Sequence, residues 1–171
     1  QAHAKLLAED VVGVARLCER VLRYAPAQSP QRVDALHHLA LAYLLQNRFD
    51  EAYAALDTAL AIASEQADLW YNHGLAARFT SRQARSLRDL ERALDLEPDD
   101  QRRQAIAEEV DFARRMAEHD RALRGPDFTL DQRLDQEERY QQAIKLLAKR
   151  DWPRAERSFR EVIALGDCLP Q

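Results

Sequence analysis

Residues 33–66 read VDALHHLALAYLLQNRFDEAYAALDTALAIASEQ, and residues 67–100 read ADLWYNHGLAARFTSRQARSLRDLERALDLEPDD. Laid over one another, these two windows of 34 residues carry one pattern. Leu36 meets Trp70, Leu39 meets His73, Ala40 meets Gly74 and Tyr43 meets Ala77. Further on, Ala52 meets Ser86, Leu56 meets Leu90, Ala59 meets Ala93, Leu60 meets Leu94 and Ile62 meets Leu96. The spacing predicts a first helix ending near Leu45 or Phe79 and a second ending near Ala63 or Leu96. Between them lies a polar break, Gln46-Asn47-Arg48 or Thr80-Ser81-Arg82. Ala40, Gly74, Ala52 and Ser86 sit mid-helix on apolar faces, where a small side chain lets two helices approach closely. Each pair is amphipathic and cannot bury its apolar face alone; stacking on neighbours closes it, which makes a solenoid.

The rest of the chain agrees with an all-α reading. It has 171 residues, 46% apolar and 32% charged, with 4 glycines and 6 prolines. That excludes a disordered chain and a membrane bundle, and it starves a β sandwich or barrel of tight turns. The formal charge of −4 disfavours a dedicated nucleic-acid binder. Only Lys5, Lys145 and Lys149 are lysine, the remaining basic residues being arginine, as a GC-rich genome would give. Between Ala76 and Arg124 stand 11 arginines and 11 acids, the mark of an ion-paired helix surface. Cys18 and Cys168 form no metal or disulfide framework, and no signal peptide or membrane span is visible. A reducing, cytoplasmic setting is the expectation.

Trp70, Gly74, Ala93 and Pro98 in the second window, and Leu39, Tyr43, Ala52 and Ala59 in the first, resemble the signature of the tetratricopeptide repeat, whose length is also 34. His73, Ala77 and Ser64 depart from the leucine, tyrosine and proline of that pattern. The resemblance extends weakly in both directions. Val14, Cys18, Val21, Leu22, Tyr24 and Pro26 fit a second helix, with Ala2–Ala8 as its shortened first. Near the other end, Ala143, Leu146, Ala155, Phe159, Val162, Ile163 and Leu165 fit a further unit, with Pro153 in the first turn of its second helix and Gly166 as a C-cap. The expected architecture is therefore an all-α, right-handed α-solenoid of tetratricopeptide-like helix pairs with a long intervening helix. Its parts are a degenerate N-terminal pair at 1–32, repeats at 33–66 and 67–100, a long helix and linker inserted at 101–135 and stopped by Gly125-Pro126, and a last repeat at 136–169. Leu130 and Leu134 extend that last repeat's first helix backwards.

No catalytic chemistry is spelled out. There is no P-loop, GxGxxG, HExxH or nucleophile elbow, and the Glu108-Glu109 and Glu137-Glu138 pairs lie on polar faces. His37, His38 and His73 lack cysteine or carboxylate neighbours at ligand spacing, so no metal and no cofactor is expected; His73 reads as packed between helices. Arg82, Arg85, Arg88 and Arg92 form one stripe interleaved with Asp89, Glu91 and Asp95, which reads as a salt-laced convex surface.

The resemblance implies function instead. In this family first helices line a concave face that binds peptides or partner proteins. Carried over residue by residue, the lining here comprises His37, Leu41, Leu44, Tyr71, Asn72, Leu75 and Arg78, joined by Tyr140, Ile144 and Leu147 from the last unit. Asn72 fits one position of the clamp by which a subgroup holds a terminal carboxylate, but His37, His38 and Leu41 replace polar clamp residues. The expectation is a non-enzymatic protein-interaction scaffold whose partner is a peptide or protein. An alternative is the regulatory region of a larger bacterial protein whose enzymatic or sensory domain lies elsewhere. Cys168-Leu169-Pro170-Gln171 reads as the entry to another unit, so the flank of Phe159, Val162, Ile163 and Leu165 would be covered by it or would drive self-association through the C-terminal end.

Overall fold

The structure, a computed structural model, describes residues 2–124 and 129–165. Gly125-Pro126, Gly166 and the segment from Cys168 onward, named above as a helix stop, a C-cap and the entry to a further unit, lie outside the described residues. Eight helices and no strand make up what is described: α1 (Ala2–Tyr24), α2 (Pro30–Leu45), α3 (Phe49–Leu60), α4 (Ala67–Phe79), α5 (Gln83–Leu96), α6 (Asp100–Arg124), α7 (Leu130–Ala148) and α8 (Trp152–Ala164). Each helix from α1 to α6 packs on the next, and α7 pairs with α8, an all-α solenoid of helix pairs.

The turns show why the pairs repeat. Asn47, Ser81 and Arg150 have positive φ, at 58°, 60° and 59°, and each sits between the two helices of a pair. The left-handed residue reverses the chain, and the N–H that follows reaches back to a carbonyl of the last helical turn. Arg48 N donates to Tyr43 O at 2.9 Å, Arg82 N to Ala77 O at 3.0 Å and Asp151 N to Leu146 O at 3.0 Å. Helix starts are also encoded locally. Ser29 accepts from Arg32 N ahead of Pro30, Thr129 and Gln132 form a reciprocal capping box, and Asp151 accepts from Arg154 N before Pro153.

Packing follows the small residues. Ala40, Ala52, Ala59, Ala76, Ala77 and Ala93 are fully buried. Gly74 lies so near α5 that a Cβ there would stand 2.8 Å from Leu90 Cγ. One cluster joins Val33, Leu36, Leu56, Leu60 and Leu69; a second joins Leu87 and Leu90 to Ile106, Val110 and Ala113 of α6. α3 ends at Leu60, short of Ala63, because Ile62 and Ala63 fold inward against the first cluster in the turn.

Two expectations need correction. The N-terminal segment is one continuous helix rather than a pair, since nothing between Ala8 and Val11 breaks a helix. Along α1, Val11, Ala15, Cys18 and Leu22 face α2, while Val14, Val21 and Tyr24, expected in the core, are exposed. The long α6 is placed as a following first helix: Arg103 in its first turn donates to Leu94 O and Glu97 O at the end of α5. Arg32 of α2 does the same to Leu22 O and Ala25 O at the end of α1. The chain then leaves the stack, and α7 docks back on α5. There the Glu137 carboxylate accepts from Ala84 N (3.0 Å) and Arg85 N (3.2 Å). It caps a helix start whose own residue, Arg82, makes no side-chain cap.

Candidate functional site on the first-helix face

The residues expected in the groove separate into two groups. His37, Leu41 and Leu44 of α2 and Tyr71, Asn72, Leu75 and Arg78 of α4 are all partly buried along adjoining first helices. Asn72 links the two: its amide donates to Asp68 O at 2.9 Å and to His37 Nε2 at 3.0 Å. An amide N–H needs a lone pair, so Nε2 of His37 carries no proton. Burial agrees, holding this imidazole below the usual histidine value against an opposing pull from Asp68. Asn72 is thus engaged within the array. Leu44 leans on the first core cluster and Tyr71 on the second. Burial, then the nearby Glu109 charge, pushes the Tyr71 phenol up.

Tyr140, Ile144 and Leu147 are not brought to this face. α7 contacts the repeats through α5, a second helix, and Tyr140 instead meets Phe159 of α8 edge-on at 6.0 Å. The groove residues expected from sequence thus fall on two sets of helices, α2 with α4 and α7 with α8. The reason is the return of α7 to the α5 N-terminus, which places the last pair beside the second helices.

What the first-helix face does carry is an apolar hollow that sequence reasoning missed. Between the end of α4 and the middle of α6 lies a space of about 510 Å³, lined by Arg78, Phe79, Gln83, Glu108, Glu109, Phe112 and Met116. Phe79 is 57% exposed, and Phe112 and Met116 are each 40% exposed. Arg78 is its organising residue. Its guanidinium donates to Glu109 Oε2 at 2.6 Å and stands 5.4 Å from the Phe79 ring centre and 5.2 Å from that of Phe112. Phe49 supports Phe79 from behind, stacked at 4.4 Å. Arg102 of α6 bridges Asp68 of α4 and Glu97, which fixes α6 against the repeats. One signal was available: exposed Phe112 and Met116 fall four residues apart on α6, one turn on the same side.

The arginine stripe is less superficial than its pattern suggested. Arg82 is buried, paired with Asp50 at 3.2 Å and Gln141 at 2.8 Å, and lies 4.3 Å over the Tyr53 ring. Arg85 pairs with buried Asp89 at 3.2 Å. Asp89 in turn accepts from Nδ1 of fully buried His73 at 2.7 Å, and His73 stacks on Tyr53 at 4.0 Å. His73 packs between helices, as its apolar surroundings in sequence implied. Burial pushes the Tyr53 phenol up to about 12. Arg92 reaches Glu65 of the preceding turn, and Arg88 is exposed. Among the described residues no group of three or more His, Cys, Asp or Glu gathers as for a metal ion, and no helix is long and apolar enough to cross a membrane.

Comparison with known proteins accords with this geometry. The tetratricopeptide repeat family matches at residues 33–66 and again at 67–100. No curated protein sequence matches the chain. Repeats of this family mediate protein–protein interaction. With α2–α3 and α4–α5 occupying the matched segments and their helices stacked in succession, residues 33–100 of the chain form two tetratricopeptide repeats.

Proposed function

We propose that the chain, alone or as the repeat region of a larger protein, is a non-enzymatic interaction scaffold that binds a peptide or partner-protein segment along α2, α4 and α6. The observation carrying this is the hollow beside Arg78. Phe79, Phe112 and Met116 are held at the surface by an ion pair and a supporting ring rather than being packed away. Exposed large apolar side chains around a concave site are what a partner's apolar anchor fits, and such anchors supply most of the binding free energy. Leu41 and Leu75 continue the surface, while His37 and Asn72 present polar edges. Tyr140, Ile144 and Leu147 have no part in it.

Selection of peptides from a displayed random library on the full chain tests the proposal. Selected sequences should share an apolar anchor. Binding should fall by about tenfold or more in Phe112→Ala and in Phe79→Ala, with helicity kept, because both side chains are exposed. Unchanged binding in both variants would refute it. A second reading, self-association through the C-terminal end, is favoured by the exposed Trp152 and Ile163 of α8. Light scattering decides it: Ile163→Glu should lower the mass if that face associates, and a concentration-independent monomer would rule it out.

A further inference from the structure

The polar groups of the hollow between α4 and α6 are Arg78, Gln83, Glu108 and Glu109. Arg78 and Glu109 neutralise one another across 2.6 Å. The Gln83 amide donates to the Arg78 carbonyl at 3.4 Å, which leaves its own oxygen as an acceptor. Glu108 is exposed and pairs with no cation among the described residues. The lining therefore carries one uncompensated negative charge. It also adjoins the last turn of α4, whose terminal carbonyls hold partial negative charge. Arg115 does not line the hollow; it stands seven residues beyond Glu108, about 10 Å along α6. Arg78 shows how this surface takes a cation. Its guanidinium lies over the rings of Phe79 and Phe112 and ends on a carboxylate.

We propose that the partner segment bound in this hollow is basic, carrying an arginine or lysine that pairs with Glu108 beside its apolar anchor. This rests on the hollow being the binding site. The anchor seats between Phe112 and Met116. The stem of the basic residue lies along Phe112, and its charged head reaches Glu108. Glu108 and Phe112 are four residues apart, about 6 Å along α6, so cation and anchor are one helical turn apart in a helix or two residues apart in an extended segment. An acidic segment would meet like charge at Glu108 and at the end of α4. The net charge of −4 on the whole chain also favours encounter with a basic partner.

The test is selection from a displayed random peptide library on the full chain and its variants. Selected sequences should carry Arg or Lys two to four positions from the apolar anchor. Glu108 is exposed, so Glu108→Lys keeps the fold; it should exchange that residue for Asp or Glu and retain the anchor. A synthetic copy of the foremost selected peptide should bind Glu108→Lys at least about fivefold more weakly, with less dependence on salt. Glu118→Lys makes the same change in charge about 120° round α6 from Phe112, and should alter neither the selection nor the affinity. An anchor selected without a basic neighbour would overturn the proposal and leave the site standing. So would a basic preference that survives Glu108→Lys, or one lost equally in Glu118→Lys. Absence of any shared anchor, or an anchor still selected by both Phe79→Ala and Phe112→Ala, would overturn the site and the proposal together. Dimerisation in sedimentation that Glu108→Lys abolishes would overturn the proposal by naming a second copy as the occupant.

Discussion

Replacing each of two helical glycines by alanine should move stability in opposite directions. At Gly74 a Cβ would stand 2.8 Å from Leu90 Cγ, 3.2 Å from Leu90 Cδ2 and 3.2 Å from the Ser86 carbonyl oxygen. Carbon atoms rest at about 3.5–4.0 Å, so α4 and α5 must part by several tenths of an ångström, against a side chain that is fully buried. Overpacking of this kind costs about 1–3 kcal/mol. Alanine returns about 1 kcal/mol of helix propensity, which leaves Gly74→Ala neutral to about 2 kcal/mol destabilised. At Gly13 the same Cβ meets nothing within 4 Å, so only the propensity gain remains, about 0.5–1 kcal/mol of added stability. The difference between the two variants isolates the packing cost. At about 2–4 °C per kcal/mol for a chain of this size, their melting temperatures should differ by several degrees. Circular-dichroism melts and urea titrations measure this. Gly74→Leu, with more bulk and no more room, should lie lower still. In a Leu90→Ala background the penalty of Gly74→Ala should largely vanish, because the clashing atom is gone. Equal shifts in the same direction for Gly13→Ala and Gly74→Ala would refute the close approach of α4 and α5.

Arg85→Leu reads from the sequence as a neutral surface change, within about 0.5 kcal/mol. The structure predicts a cost of about 1–3 kcal/mol instead, read by urea titration, because it strips the cation from buried Asp89. His37 has its folded-state value lowered by burial, so as pH falls the unfolded chain takes up that proton first. Its contribution is fully present above about pH 6.5 and is lost as pH falls towards the lower folded value, and His37→Gln should show a smaller drop in melting temperature between neutral and mildly acidic buffer. Ser81→Gly and Arg150→Gly should each be neutral to about 1 kcal/mol stabilising, since a left-handed φ strains any side chain; clear destabilisation by calorimetry would contradict the turn geometry.

The helix pairs at 33–66 and 67–100 were legible because their signals are local and repeated. Polar breaks at Gln46-Asn47-Arg48 and Thr80-Ser81-Arg82 became the two left-handed turns, and Ala40, Gly74, Ala52 and Ser86 became close contacts. His73 was readable as a packed residue from its register, but its bond to Asp89, 16 residues away, was not. The return of α7 was invisible for the same reason. It depends on a Glu137 carboxylate meeting amides 52 and 53 residues earlier, and such a glutamate looks like any other solvated acid in the sequence. That return is why Tyr140, Ile144 and Leu147 lie on a helix packed against α5 and α8 rather than beside α2 and α4. The hollow was missed through α6. A helix without its own second helix lacks the small residues of a repeat, so 101–135 read as an insertion. Phe112 and Met116 were then not assigned to the binding face, and of the seven lining residues only Arg78 was placed there beforehand.

The central claim is that partners engage the first-helix face beside Arg78. It is tested most directly by a photo-crosslinking amino acid placed singly at Phe79, Phe112 and Tyr140 of the chain in its native cell. The account predicts a common crosslinked partner from Phe79 and Phe112 and none of that partner from Tyr140. Crosslinks from Tyr140 with none from Phe79 or Phe112 would contradict it.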